Sequence, residues 1–127
     1  EVVDRLVAVP GTSDWGRLSV MVQYHCRADY LFFVPPEAFS PPPRVDSAVV
    51  RLVPRAPDTE ALDYGLFSRL VSQAFTQRRK VISNALKSWL DRDQIAAAGV
   101  DPGLRPDAVD LAGYIALANQ AYRQQET

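Results

Sequence analysis

An isolated aromatic ring on a proline-rich segment is the first feature of the sequence that could do chemistry. From Val34 to Pro54 the chain reads VPPEAFSPPPRVDSAVVRLVP, with five prolines in nine residues and Phe39 among them. Proline fixes φ and removes a backbone donor, so this segment cannot pair in a sheet and holds an extended shape. A ring mounted there either packs on a neighbouring part of the protein or offers a flat face to an unstacked base. Composition alone leaves both interpretations of Phe39 open.

Three consecutive cations, Arg78, Arg79 and Lys80, form the second candidate. In a regular helix they would fan over roughly 200°, so they can all meet one surface only at a bend or a helix start. The 27 residues of 64–90 contain no acid, and residues 69–92 carry a net charge of +5 in a chain whose total is −1. Such segregation is typical of nucleic-acid binders and favours RNA contact over a solvated basic face.

His25 and Cys26 are adjacent, but together they supply too few ligands for a structural metal site, and no partner for a nucleophilic cysteine is evident. We therefore predict that both are packing residues, with Cys26 on an apolar face, and that the chain binds no metal. One cysteine in 127 residues fits a reducing compartment. No apolar run approaches the length of a membrane span, so we expect a cytoplasmic protein without a membrane partner.

The elements that must position these residues fall into two groups. Residues 1–54 are predicted to form a mixed α/β piece and residues 55–127 an all-helical one, with a linker-like composition after Pro54. Two strands and two helices cannot bury a sheet core alone, so the first piece is predicted to be the tail end of a larger sheet. The predicted elements are helices over 1–8 and 17–26, strands over 29–34 and 47–53, apolar helical stripes over 66–75 and 81–90, a short helix that ends at Gly99, and a last helix that begins after Asp110.

Apolar spacing and capping residues predict which side chains face the core and where helices begin. Asp91 or Asp93 is expected to cap the short helix, and Asp110 the last one. Trp89, at helical spacing on the second stripe, is predicted to be a core residue. The side chains predicted to face inward on the helix over 17–26 and on the last helix are Leu18, Met21, Val22 and Cys26, and Leu111, Ile115, Ala118 and Tyr122, respectively.

Four strings, in this order and spacing, resemble a known family, the bacterial small-subunit ribosomal RNA adenine dimethyltransferases. They are WGRLSVMVQY (15–24), VPPEAFSPPPRVDSAVVRL (34–52), AFTQRRKVISNAL (74–86) and GVDPGLRPDAVDL (99–111). The resemblance runs from end to end of the chain, and the proline string is its most specific element. Trp15 stands where the family commonly has tyrosine, and Arg44 replaces its commoner lysine.

The resemblance implies an α/β fold class: the last two strands of a Rossmann-like methyltransferase sheet, followed by a small all-helical domain that binds rRNA. The family transfers methyl groups from S-adenosylmethionine to the N6 amines of two adjacent adenines near the 3′ end of 16S rRNA. Its glycine loop and its Asn-Leu-Pro-Tyr type motif lie in its first half, and neither string occurs here. This chain therefore resembles the C-terminal half of the enzyme, without cofactor-binding residues and inactive by itself.

The same resemblance assigns roles to residues of this chain. Phe39 is expected to stack on the flipped target adenine, with the proline loop as its rigid mount. The expected partner is 16S rRNA, in the small ribosomal subunit or its assembly precursor, bound by a monomer. For Arg17, a surface arginine packed on its helix is an equal alternative to phosphate contact. The cations expected to contact RNA are Arg78, Arg79, Lys80, Arg17, Arg44, Arg69 and Lys87.

Two other functions are open at this stage. The chain could belong to a non-catalytic RNA-binding module that serves ribosome assembly or transcription. It could also belong to the antibiotic-resistance relative that modifies large-subunit rRNA. An intact glycine loop and Asn-Leu-Pro-Tyr motif upstream would argue for catalysis. The QRRK element and the triple proline favour the small-subunit branch by family likeness.

Overall fold

The computed structural model describes residues 2–34, 47–54 and 61–125 of the chain. None of the helices in these ranges is long and apolar enough to cross a membrane. In chain order the elements are α1 (Val2–Leu6), α2 (Arg17–His25), β1 (Cys26–Val34), β2 (Ser47–Pro54), α3 (Tyr64–Thr76), α4 (Ile82–Ala85), α5 (Arg92–Ala97), a 3-10 turn (Pro106–Ala108) and α6 (Leu111–Gln125).

The two predicted strands pair with each other in antiparallel register. The ladder runs from Cys26 opposite Pro54 to Val34 opposite Ser47, with an irregularity between Tyr30 and Phe32 of the kind a β-bulge produces. Strand β1 begins earlier than the apolar run predicts, because the pairing continues to the end of α2. The segment 35–46, which holds the prolines, connects the two paired strand ends.

The buried face of α2 differs from the predicted one. Leu18, expected to face inward, is 38% exposed, whereas Ser19, Val20 and Tyr24 are buried. Backbone carbonyls near α1 explain the rotation. Ser19 Oγ donates to the Arg5 carbonyl at 2.6 Å. The Gln23 side chain donates to two further carbonyls, those of Leu6 and Ala8, at 3.0 and 2.9 Å. Because Ser19 and Gln23 donate to these carbonyls, a polar edge of α2 faces inward, which the apolar spacing of the helix did not predict.

Met21 and Val22 are accordingly only half-buried, as is Cys26 directly after the helix. The thiol of Cys26 is free. Trp89 was predicted to be a core residue, but it is half-buried and packs against the core from a turn. The reason is that the second apolar stripe forms only the four-residue helix α4, followed by turn residues.

Helices α3 and α6 supply much of the core, as their apolar spacing predicts. The α3 stripe buries Leu66, Phe67, Leu70, Val71 and Ala74. On α6, Ile115 and Ala118 are buried as expected, while Leu111 and Tyr122 are half-buried. Three further hydrophobic side chains of α6 are buried as well, which widens its core face: Tyr114, Leu117 and Ala121.

The predicted helix ends are confirmed in the last third of the chain. Asp91 caps α5, since its carboxylate accepts from the Gln94 N–H at 2.8 Å. Asp110 accepts from the Gly113 N–H at 2.7 Å, at the start of α6. Gly99 follows α5 with φ of +88°, a left-handed conformation that suits a residue without a Cβ. Local chemistry therefore sets these boundaries.

One hydrophobic cluster includes residues from both predicted pieces of the chain. Trp15, Val20 and Tyr24 belong to the same core as the buried faces of α3 and α6. The division at residue 54 stays a prediction about chain organisation.

A set of hydrogen bonds, which we call the joint, ties the loop 9–16 to the helical part. The Trp15 indole N–H donates to the Val109 carbonyl at 2.7 Å, and this side chain is only 1% exposed. The Gly11 N–H donates to the Asp107 carbonyl at 2.7 Å. Arg78 donates from the other side, to the carbonyls of Ser13 and Trp15.

Replacement of Trp15 by phenylalanine tests how much the joint contributes to stability. The change removes the indole donor from the Val109 carbonyl and shrinks a buried ring. We expect the free energy of unfolding to fall by about 2–4 kcal/mol, from lost packing together with an unsatisfied carbonyl. Urea unfolding followed by circular dichroism measures it.

Trp89→Phe is the matched control, because it makes the same chemical change at a half-buried position outside the joint. We expect it to cost less than about 1.5 kcal/mol. Equal losses in the two variants would show that Trp15 contributes no more than an ordinary partly buried tryptophan.

Candidate nucleic-acid interface

The three consecutive cations lie in a turn rather than along a helix. Helix α3 ends at Thr76, and Gln77 leaves the helical conformation with φ of −117° and ψ of 44°. The Lys80 N–H then donates to the Gln77 carbonyl at 3.0 Å, which closes the turn before α4. The cations thus lie at a bend, one of the two arrangements that would let them meet one surface. Since residues 77–80 form a turn, helical geometry no longer dictates the directions of the three side chains.

Arg78 is exposed, yet its guanidinium is engaged with the protein. Its Nη2 donates to the Ser13 carbonyl at 2.9 Å and also to the Trp15 carbonyl. The guanidinium carbon lies 5.7 Å from the centroid of the Phe75 ring, within the range of a cation–π contact. Arg79 and Lys80 are exposed in the same turn.

Arg17 is brought close to this turn through the backbone. It is the first residue of α2, two positions after the Trp15 carbonyl that accepts from Arg78. Its side chain is exposed. Cations that are about 60 residues apart in the sequence thus share one region of the surface, which we call the basic cluster: Arg17, Arg78, Arg79 and Lys80.

Arg69 and Lys87 lie further along the helical part. Arg69 is exposed on α3, roughly 10 Å before the end of that helix at 1.5 Å per residue. The Gln73 side chain, one turn after Arg69, donates to the Ala85 carbonyl at 3.3 Å, and the exposed Lys87 follows two residues later. These two cations therefore extend the basic surface along α3 and the end of α4 rather than joining the cluster in the turn.

Phe39 and Arg44 lie outside the described residues, so their expected roles stay predictions. The described strands fix only where their segment starts and ends, at the paired residues Val34 and Ser47.

Next to the joint, Tyr114 is a buried titratable residue that the sequence reasoning missed. Its hydroxyl donates to the Pro106 carbonyl, and the ring packs against Phe75 with centroids 5.6 Å apart. Burial raises the pKa of Tyr114 well above its usual value, the Asp107 carboxylate raises it further, and the Arg78 guanidinium opposes them. Its position next to Ile115, in the apolar first half of α6, was the available signal.

His25 makes ring contacts, as predicted for a packing residue, but at the surface rather than in the core. Its Nε2 lies 3.0 Å from the Tyr64 hydroxyl, and its ring meets that of Tyr24 edge-on. Both His25 and Tyr64 are exposed. These rings pack the end of α2 against the start of α3.

Comparisons with known proteins place these features in context. A family model described as "Ribosomal RNA adenine dimethylase" matches residues 1–120. The chain is 68% identical over 120 residues to "Ribosomal RNA small subunit methyltransferase A" of Alcanivorax borkumensis, covering 94% of this chain and 43% of that protein. The protein of the same name from Pseudomonas aeruginosa is 59% identical over 121 residues, with 94% and 45% covered. The chain thus spans less than half the length of these curated relatives.

Two solved structures illustrate the similarity of this chain to known folds. A dimethyladenosine transferase from Plasmodium falciparum matches with a TM-score of 0.73 and 20% identity, covering 90% of this chain and 51% of that chain. The 23S rRNA methyltransferase ErmE matches with a TM-score of 0.63 and 27% identity, covering 89% and 50%. The order of helices and strands described above therefore recurs in part of larger molecules.

The raised pKa of Tyr114 predicts a loss of stability at alkaline pH. The folded state holds the phenolic proton more tightly than the unfolded chain, whose tyrosines titrate near pH ~10. This contribution is complete below that pH and is lost as the pH rises above it, by up to about 1.4 kcal/mol per pH unit. We expect Tyr114→Phe to be less stable at pH 7, because it lacks the hydrogen bond to Pro106, but to lose less stability above pH ~10.

Urea unfolding of both proteins between pH ~7 and ~11 measures the difference, in the window set by an ordinary tyrosine pKa. Tyr64→Phe is the control, since it removes an exposed phenol. Parallel stability curves for the original chain and Tyr114→Phe would contradict this assignment.

Proposed function

This chain belongs to the ribosomal RNA adenine dimethylase family, and we propose that it is the C-terminal, RNA-binding half of an rRNA adenine N6-dimethyltransferase that uses S-adenosylmethionine. The proposed substrate is a pair of adjacent adenines near the 3′ end of 16S rRNA, in the small ribosomal subunit or its precursor. We propose that the protein acts as a monomer in the cytoplasm. The observation that carries the proposal is the convergence of Arg17 with the cationic turn 78–80 in a chain of this family.

We propose that Arg17, Arg79 and Lys80 of the basic cluster contact rRNA phosphates. Exposed Arg79 and Lys80, in a turn, can approach the same stretch of backbone that Arg17 approaches from the start of α2. The stretch 64–90, free of acids, limits local repulsion of a polyanion. Contacts of this kind fix the orientation of the enzyme on the subunit and carry no sequence information. Arg69 and Lys87 are proposed as further contacts along the same surface, and Arg44 as a further contact from the segment between the two strands.

We propose that the methyl donor is held by residues outside this chain. S-adenosylmethionine supplies an electrophilic methyl group when bound. The nucleotide-binding unit of a Rossmann-like sheet is a strand that leads into a glycine-rich turn and a helix. The described strands are antiparallel, and β1 leads into a proline-rich segment instead. The residues present therefore do not fit the cofactor.

A cavity of about 460 Å³ between α5 and α6 offers no better fit, since it is lined by small residues such as Ala98 and Ala116 together with Asp101 and Asp110. Both aspartates accept hydrogen bonds from nearby backbone N–H groups. Their carboxylates serve the local backbone rather than a ligand.

Phe39 is proposed to form one wall of the target-base pocket. The adenine N6 amine is a poor nucleophile, because its lone pair is delocalised into the ring, so the reaction depends mainly on positioning. A base stacked on a ring with little freedom is held for attack. The prolines around Phe39 would limit that freedom, since their φ angles are fixed.

The small-subunit assignment is supported over the large-subunit one by degree of similarity. Relatives named for the small subunit reach 68% identity, whereas the 23S rRNA methyltransferase reaches 27%. Methyl transfer by a whole protein that contains this chain would distinguish an enzyme from a non-catalytic assembly or transcription module.

Alanine variants of the basic cluster test RNA binding. We expect Arg79→Ala and Lys80→Ala each to weaken binding to a 16S rRNA transcript. Each should also reduce the slope of log K against log [salt] by about 0.7–0.9, the value of one phosphate contact. Filter binding between low and moderate salt measures both quantities. Arg123→Ala, which removes an exposed cation near the end of α6, is the control and should change neither. Unchanged slopes for Arg79→Ala and Lys80→Ala would reduce the cluster to a solvated basic face.

Methyl transfer tests the role of Phe39 in a chimera, where this chain replaces the segment that it matches in the Alcanivorax borkumensis relative. We expect the chimera to methylate immature small subunits and the isolated chain not to. Phe39→Ala in the chimera should lower the rate by about 5–150-fold, the equivalent of 1–3 kcal/mol of stacking.

Phe39→Tyr keeps the ring and should retain most of the activity. Near-normal turnover by Phe39→Ala would assign the ring to packing. A folded, RNA-binding chimera without activity would favour the non-catalytic alternative, and turnover by the isolated chain would show that the catalytic groups are not missing.

A further inference from the structure

We propose that Arg78 positions the RNA-binding surface instead of contacting RNA. Its guanidinium holds the loop 9–16, and with it Arg17, against the turn after α3. Phosphate contact is left to Arg17, Arg79 and Lys80. This role of Arg78 rests on the proposed function, because it divides the work within the same basic cluster.

The hydrogen bonds of Arg78 support an anchoring role. The two N–H groups of its Nη2 match the two acceptors that it reaches, the carbonyls of Ser13 and Trp15. A Cβ placed on Gly16 would lie 3.7 Å from Nη2 and 3.8 Å from Nη1, so the guanidinium also lies against the backbone of Gly16. Together with the Phe75 ring at 5.7 Å, these contacts define both the position and the plane of the group.

The anchored loop carries Arg17 with it. The Trp15 carbonyl is two residues before Arg17, and Gly16, packed against the guanidinium, is its immediate neighbour. On its other side the loop is fixed by the bonds of Gly11 and Trp15 to the segment 107–109. The hydrogen bonds of Arg78 therefore attach the loop to the cationic turn. They set the position of Arg17 relative to Arg79.

The acceptors of Arg78 on the loop are neutral carbonyls. They use its donors without neutralising its charge, so Arg78 still adds to the positive potential that attracts RNA. A replacement of Arg78 that keeps the charge therefore removes mainly the hydrogen bonds that position the loop.

Replacement of Arg78 by lysine distinguishes an anchor of the loop from a phosphate contact. It carries the same charge, and as a point charge it binds phosphate well. It lacks the planar fork that donates to two carbonyls while stacking on a ring. A phosphate contact would survive Arg78→Lys, whereas an anchor would not.

The experiment measures the affinity of the full chain for a 16S rRNA transcript. We expect Arg78→Lys to weaken binding by about 5–10-fold, the size of a typical coupling between sites, and Arg78→Ala to weaken it at least as much, because alanine also removes the charge. Arg17→Ala combined with Arg78→Lys should bind no worse than the weaker single variant, because Arg17 is already misplaced. Arg79→Ala combined with Arg78→Lys should multiply the two losses.

A second readout follows the joint directly and needs no RNA. The indole N–H of Trp15 should exchange with solvent about tenfold faster in Arg78→Lys, as measured by NMR, since release of the neighbouring loop favours local opening. Arg123→Lys is the matched control, with the same change at an exposed arginine near the end of α6, and should leave this exchange rate and the RNA affinity unchanged. Circular dichroism of each variant reports whether it is folded.

Wild-type affinity and unchanged Trp15 exchange in Arg78→Lys would overturn the positioning role. Additive losses for Arg17→Ala and Arg78→Ala, with Lys rescuing at position 78, would assign Arg78 to direct phosphate contact. If all variants bind RNA like the original chain while Trp15 exchange accelerates, the proposed RNA surface is wrong, and the role of Arg78 in RNA binding falls with it.

Discussion

Two large side chains, Trp15 and Arg78, donate the hydrogen bonds that connect the loop 9–16 with the helical part of the chain. The acceptors are backbone carbonyls of the loop and of the segment before α6. Trp15 donates from the loop to Val109, while Arg78 donates from the helical part to the loop. Each side of the joint thus satisfies acceptors of the other. A buried carbonyl that loses its donor costs about 1–3 kcal/mol, so the joint opens only at a substantial cost. The position of α2 on the helical core follows from this constraint.

The joint also explains how a chain of net charge −1 builds a cationic surface. Arg17 and the turn after α3 belong to different predicted pieces of the chain. Sharing one hydrophobic core brings them to one place. Tyr114, buried beside Arg78 and Asp107, shows that the same region combines apolar packing with charges. The joint therefore contributes both to the stability of the chain and to the arrangement of the proposed RNA-binding surface.

Local signals in the sequence predict the local structure well. The apolar stripe of α3, the cap at Asp91 and the left-handed Gly99 were all predictable, because each depends on residues within one or two turns. The buried face of α2 was not, since Ser19 and Gln23 turn inward to serve carbonyls near α1.

The hydrogen bonds of Arg78 and Trp15 could not be predicted from the sequence either, because their partners lie 65 and 94 residues away. Composition marked Arg78 as a cation but could not show that its donors serve the backbone. Charge segregation identified Arg78, Arg79 and Lys80 as a candidate site, family resemblance added Arg17, and the division of roles among them rests on the tertiary contacts. Phe39 remains a prediction from resemblance.

Photocrosslinking from single positions to the small ribosomal subunit tests most directly whether Arg17 and the turn after α3 form one RNA-facing surface. A photoreactive amino acid would replace Arg17 or Lys80, with Ala112 on α6 as the reference position. Crosslinks from both positions to one rRNA segment, and none from Ala112, are the predicted result. Crosslinks from Ala112 alone, or from Arg17 and Lys80 to distant rRNA segments, would contradict a shared RNA-binding surface at the joint.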